Sequence, residues 1–281
     1  MKLDNGIISI DVIEYGAEIK SAIKNGIEYM WCGDSKYWGR TSPVLFPFVG
    51  ALKDKRYTVD GKQYPMGQHG FARDFDFRLL ETTENSVTYI LKSSEETITK
   101  YPFEFALLIK YTLIDSTIKV EWKVKNESNK VMSFSIGAHP AFNLRDGENY
   151  FRFDNRNDII YNLIDENGLY VESDRHVLKN DGYVKIENAM FDNDAFIIEN
   201  NQVNEVLLCD SQKNPYIIVR FTAPLFGLWS PAKKNAPFVC IEPWYGRCDR
   251  NDFTGEFSEK DYIINIAAGE SFEAGYEIEL L

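Results

Sequence analysis

Apolar and polar residues alternate along this chain in short runs broken by turn residues, the period-two pattern of β-strands with one face buried. The closing run shows it most cleanly, with Phe272, Ala274, Tyr276, Ile278 and Leu280 on one face. Residues 17–23 and 27–31 flank Asn25-Gly26, a pair that tolerates the positive φ angles of a tight hairpin turn. Residues 56–59 and 62–64 repeat that arrangement around Asp60-Gly61. Between them, residues 34–50 read as a loop, because Pro43 and Pro47 interrupt any regular element. Strands are expected at 74–81 and 86–91, one helical turn at 94–100, then a meander of 105–114, 117–125 and 131–139. Residues 150–193 are punctuated by polar segments, with strands near 159–164 and 184–186. Later strands fall at 206–210, 216–222, 226–229 and 238–242. So many strands with scarcely any helix predict an all-β protein, one large antiparallel β-sandwich spanning residues 1–281 as a single domain.

Composition narrows the class. The 281 residues are 44% hydrophobic, ample for a core, and 14% aromatic, which β propensity alone accounts for. A net charge of -12 argues against a nucleic-acid or anionic-membrane surface. The chain opens Met1-Lys2-Leu3-Asp4-Asn5-Gly6, with no apolar stretch behind a basic head, so no signal peptide is expected. No apolar run approaches the roughly 20 residues that span a bilayer. Cys32, Cys209, Cys240 and Cys248 show no Cys-x-x-Cys spacing, and free thiols in a reducing cytoplasm are expected.

The candidate chemistry centres on Phe238-Val239-Cys240-Ile241-Glu242-Pro243-Trp244-Tyr245-Gly246. Alternation puts Glu242 on the face of Phe238 and Cys240, with Val239 and Ile241 opposite. The following proline holds Glu242 extended and is expected to end the strand. Trp244 and Tyr245 would shield the carboxylate and raise its pKa. By itself the stretch reads as an ordinary strand end; the histidines change that reading. Of the three, His176 lies in the charged stretch Ser173-Asp174-Arg175-His176 and reads as a surface residue. His69 stands between glycines in Gly67-Gln68-His69-Gly70-Phe71-Ala72-Arg73, where backbone approaches a ligand closely. His139 ends Ser133-Phe134-Ser135-Ile136-Gly137-Ala138-His139-Pro140. There Ser133, Ser135, Gly137 and His139 share a small polar face, expected to be the floor of a groove. Two imidazoles and a carboxylate would also suit a metal, but neither His-x-His nor His-Glu-x-x-His spacing occurs, and no metal is expected. No Gly-x-Ser-x-Gly elbow marks a nucleophile. General acid–base chemistry by Glu and His remains, their pKa values tuned about neutrality.

Gln68-His69-Gly70-Phe71-Ala72-Arg73, Gly137-Ala138-His139-Pro140-Ala141-Phe142 and Ile241-Glu242-Pro243-Trp244 resemble, in this order, the signatures of the aldose 1-epimerase (galactose mutarotase-like) superfamily, most of all its LacX-type branch. Ser42-Pro43-Val44-Leu45-Phe46-Pro47-Phe48-Val49-Gly50, Asn193-Asp194-Ala195-Phe196 and Ala268-Gly269-Glu270 fit as well, so the resemblance covers nearly the whole chain. It implies a β-sandwich of the galactose mutarotase type with a sugar in an open groove. Glu242 would take the anomeric proton and His139 would protonate the ring oxygen, without metal or cofactor. His69 and Asp194 would hold sugar hydroxyls. Gln68 and Arg73 match positions that bind ligand in the related hexose-6-phosphate epimerases, so a phosphosugar is an alternative substrate. The branch commonly carries arginine after the glycine of its Pro-x-x-Phe-Pro-x-x-Gly loop. Here Ala51 stands instead, with Arg73, Lys53 and Arg56 as candidate substitutes. Two other classes fit the residues: a non-catalytic sugar-binding protein on the same fold, and a glycosidase pairing Glu242 with Asp194, which leaves His139 without a role.

Overall fold

The longest strands form where alternation is strictest. Phe105–Ile114 and Thr117–Asn126 pair antiparallel over their whole lengths through the Asp115-Ser116 turn. Ser86–Lys92 extends this sheet on one side and the closing Ser271–Leu280 on the other. In the computed structural model, which describes residues 1–187 and 189–281, these strands are four adjacent members of a nine-stranded antiparallel sheet. Tyr89, Leu107, Ile109, Val120 and Ile278 turn inward from it. An eight-stranded sheet opposes it, built around Phe238–Tyr245 and its neighbour Leu225–Trp229. From that second sheet Phe226, Leu228, Val239 and Ile241 meet the first in one continuous apolar core. Each such side chain contributes about 1.5–3 kcal/mol by leaving water. The architecture is the expected all-β sandwich.

Among the departures from the sequence expectation, four stretches show a clear physical reason. Phe238–Tyr245 runs straight through Pro243 instead of stopping at Glu242. On one flank Ala141–Asn143 pairs residues 238–240, and Ile136–Ala138 pairs residues 244 and 245. The proline's missing N–H therefore falls between two partner strands, where the ladder loses little. Residues 131–139 divide in two. Met132–Phe134 leaves to pair with Ile264–Ile266, while Ile136–Ala138 joins the main sheet. Ser135 marks the break: its N–H donates to the Pro47 carbonyl and its hydroxyl accepts from the Val49 N–H. Ser133 and Ser135 are thus buried structural groups, and only the far end of that stretch reaches a groove. The loop at 34–50 includes the short strand Val44–Leu45, paired to Ile136–Ala138. Tyr170–Leu178, read as polar punctuation, is a nine-residue strand at the sheet edge, where Glu172 and Arg175 face water and mask the period.

The small helix forms at Glu95–Lys100 because the Ser94 hydroxyl caps it, accepting from the Thr97 N–H. Among the described residues no helix is long and apolar enough to cross a membrane, and no disulfide forms. Cys209, Cys240 and Cys248 are buried and Cys32 is exposed. His176 lies within the edge strand, stacked on Tyr161 and paired with Asp174.

Candidate active site

Val239 and Ile241 point into the core, so Phe238, Cys240, Glu242 and Trp244 emerge on the other face of the same strand. The alternation expected from the sequence therefore continues through Pro243. Trp244 lies against two glycines: a Cβ on Gly137 would fall 2.6 Å from its ring, and one on Gly227 2.4 Å. Glycine at both positions lets the indole lie flat as the floor of a cavity. Glu242, directly opposite Gly227 in register, is only 1% exposed at the base of that cavity.

A second close approach sets the histidines. Gly70 has φ +69, and a Cβ there would lie 2.3 Å from the Phe46 carbonyl oxygen, so the 67–73 loop seats against the 44–50 loop only through glycine. This contact brings His69 to Gly50. The His69 N–H donates to the Gly50 carbonyl, and the Gly50 N–H donates to His69 Nδ1 at 3.1 Å. Nδ1 is therefore the acceptor and the ring proton sits on Nε2. Burial, followed by the charges of His139, Arg73 and Arg40, holds the His69 pKa well below its ordinary value. His69 stays neutral and offers one N–H.

His139 is boxed by aromatic rings. Its imidazole stacks on Trp38 at 4.6 Å and meets the edges of Trp229 at 5.2 Å and His69 at 5.7 Å. Its Nε2 lies 3.4 Å from Glu242 Oε1, while Nδ1 is buried with no hydrogen-bond partner among the described residues. Burial, helped by Arg73 and Arg40, drives the His139 pKa down to about 3. Burial, helped by Asp194, drives that of Glu242 well above the usual carboxylate range. Both shifts disfavour charge, so they favour a protonated carboxyl beside a neutral imidazole, with a short transfer between the two.

The cavity above the pair measures about 390 Å³, sized for a small ligand. All six residues expected from the sequence line it: Gln68, His69, Arg73, His139, Asp194 and Glu242. Asp194 sits at its open rim with φ 75, and its carboxylate accepts from the Ala195 N–H. Arg40 also lines the wall, and sequence reasoning missed it. Trp38-Gly39-Arg40 lies in a loop without period, and nothing local marks the arginine. Arg40 pairs with Asp74 at 2.5 Å; Arg73 donates to the Gln68 carbonyl at 2.8 Å, while its buried Nε lies 3.8 Å from Asp74 Oδ2 and makes no hydrogen bond among the described residues. Ala51 does not line the cavity. Its Cβ lies 3.2 Å from where a Cβ on Gly168 would be, so the turn carrying Gly168, itself a lining residue, fills the space in front of it. Neither Lys53 nor Arg56 lines the cavity. A broader hollow of about 990 Å³ on the outer face of the nine-stranded sheet holds no histidine, and several of its charges pair with one another, as Lys123 with Glu273 and Arg220 with Glu205.

A buried carboxyl–imidazole pair under an open, tryptophan-floored cavity makes this a β-sandwich built for acid–base chemistry. The comparisons with known proteins give the family. The aldose 1-epimerase family model matches residues 1–265. The plasmid-borne LacX protein of Lactococcus lactis subsp. lactis is 30% identical over 100% of this chain and 99% of its own length. The solved structure of a galactose mutarotase related enzyme from Lactobacillus acidophilus superposes with TM-score 0.94 at 34% identity, covering 100% of this chain and 97% of that one. A galactose mutarotase-like protein from Lactobacillus casei gives 0.92 at 28% identity, covering 100% and 99%. The chain belongs to the aldose 1-epimerase family and is an isomerase whose substrate is a sugar.

Proposed function

We propose that the enzyme interconverts the α and β anomers of a hexose by opening and re-closing its ring, with Glu242 and His139 as the base and acid. The observation that carries this reading is the 3.4 Å approach of His139 Nε2 to Glu242 Oε1 at the base of the cavity. Transfer of the shared proton from carboxyl to imidazole creates a carboxylate beside an imidazolium. The carboxylate takes the proton of the anomeric hydroxyl, the O1 electrons form the aldehyde, the C1–O5 bond breaks, and O5 receives the imidazolium proton. After the aldehyde end rotates, the reverse steps close the ring on either face of C1. His69 Nε2–H and the Asp194 carboxylate hold hydroxyls, and Gln68 and Arg73 complete the contacts. The four free cysteines suit a reducing compartment, and the cytoplasm is the proposed location.

A phosphorylated hexose is the second reading, favoured by Arg40 and Arg73 together on the cavity wall. Chelator-treated enzyme and a panel of free and 6-phosphorylated aldoses, followed by polarimetry or NMR from pure anomers, test both readings. Accelerated mutarotation of at least one sugar is expected. Sugar binding without acceleration of any would make the protein a non-catalytic binder.

A further inference from the structure

Cys240 has no part in the proton transfers, yet it faces them. It precedes Glu242 by two residues on one strand, so its side chain emerges on the same face. The ligand atoms of His139, Cys240 and Glu242 all lie within 4.8 Å of one another, and all three residues are buried. A nitrogen, a sulfur and a carboxylate oxygen are a donor set suited to zinc and its soft or borderline neighbours. A tetrahedral zinc ion with bonds of roughly 2.0–2.3 Å holds its ligands about 3.3–3.8 Å apart. His139 Nε2 and Glu242 Oε1 already stand at 3.4 Å. Only the thiol sulfur has to draw in; His139 and Glu242 line the cavity, though Cys240 does not, so a fourth ligand would come from the cavity side. None of the usual ligand spacings appears in the sequence, because the fold, through the separate strand end at His139, supplies the third ligand.

We propose that His139, Cys240 and Glu242 form a three-ligand site for a thiophilic divalent cation, zinc foremost, and that occupancy switches the isomerase off. The inference rests on the proposed roles of His139 and Glu242. Binding releases the thiol proton and the proton shared by the pair, leaving a thiolate, a carboxylate and a neutral imidazole on the metal. Neither base nor acid is then free, so the metal acts as an inhibitor and a chelator restores turnover. Sugar and metal compete, since the open coordination position lies where the anomeric centre would sit.

Cobalt(II) reports the site without reference to activity. Titrated into chelator-treated enzyme, it is expected to give intense visible bands of a four-coordinate ion and a near-ultraviolet thiolate-to-cobalt band. Cys240→Ser should abolish the thiolate band, while Cys248→Ser, altering the nearby cavity-lining thiol, should keep it. In rate assays zinc should inhibit wild-type enzyme, with EDTA reversal and protection by sugar. Cys240→Ser should turn over without metal and need more zinc for half-inhibition, by at least the roughly 10–100-fold that loss of a mere supporting group costs a metal site. A cobalt spectrum of the wild type without a thiolate band would overturn the site, even if Cys240→Ser failed to fold. Equal zinc sensitivity of wild type and Cys240→Ser would overturn the inhibition. Failure of the chelator-treated enzyme to isomerise any sugar would sink the proposed function, and the cobalt spectrum would still decide the metal site.

Discussion

Glu242 and His139 share one physical feature: each is held extended by the proline after it and buried where charge is disfavoured. Their pKa shifts oppose one another and leave distinct marks on stability. The unfolded chain protonates His139 near 6.5, the folded chain only near 3. Stability should therefore fall as pH drops through that window, by an amount on the order of a few kcal/mol. Melting curves across that window should show a shallower fall for His139→Asn than for wild type; parallel curves would mean that His139 protonates freely in the fold. Glu242 acts the other way, since its raised pKa makes its stabilising effect greatest at acid pH and lost as pH rises through the folded value. These two residues were legible in the sequence because histidines are few and the flanking prolines and glycines are informative. Arg40 was not, since only the folded loop carries it to the wall. If Arg40 serves an anionic substituent, Arg40→Ala should cost about 10–100-fold in kcat/KM on the phosphorylated sugar, the scale of one charge-assisted hydrogen bond, and less on the free one. Equal losses on both would assign Arg40 to the scaffold.

At the scale of elements, the site depends on one strand with two different faces. Val239 and Ile241 anchor Phe238–Tyr245 in the core, and Trp244 is clamped flat by Gly137 and Gly227. Gly227→Ala sets a Cβ against the indole and should destabilise the protein by about 1–3 kcal/mol, as overpacking does. It should also lower kcat/KM, because Gly227 is the register partner of Glu242. A variant with unchanged melting temperature and rate would show that the floor adapts. The strand's alternation was readable from sequence, but its length was not. Local proline chemistry predicts a stop at Glu242, whereas tertiary pairing carries the strand on to Tyr245. The same limit hid Tyr170–Leu178, an edge strand whose charged outward residues mimic a loop.

Across the whole molecule, turn residues and period-two runs were enough to indicate two antiparallel sheets, while the meeting of His69, His139, Asp194 and Glu242 required long-range pairing that no local pattern encodes. The nearest departure from the family pattern, Ala51, is part of that global arrangement. The Gly168 turn occupies the space in front of it, so Ala51→Arg should displace this turn and change substrate preference through cavity shape. Identical kinetics on every active sugar would place position 51 outside the working groove. In the proposed mechanism Glu242 accepts the anomeric proton while His139 passes the shared proton to the ring oxygen. Glutamine keeps the size of Glu242 but cannot accept the anomeric proton. Anomer exchange measured by NMR on chelator-treated Glu242→Gln, alongside its sugar affinity and melting temperature, is the direct test. The expected result is an intact fold, retained sugar binding and kcat lower by about 10²–10⁴-fold; a folded variant with near-wild-type exchange would contradict the account.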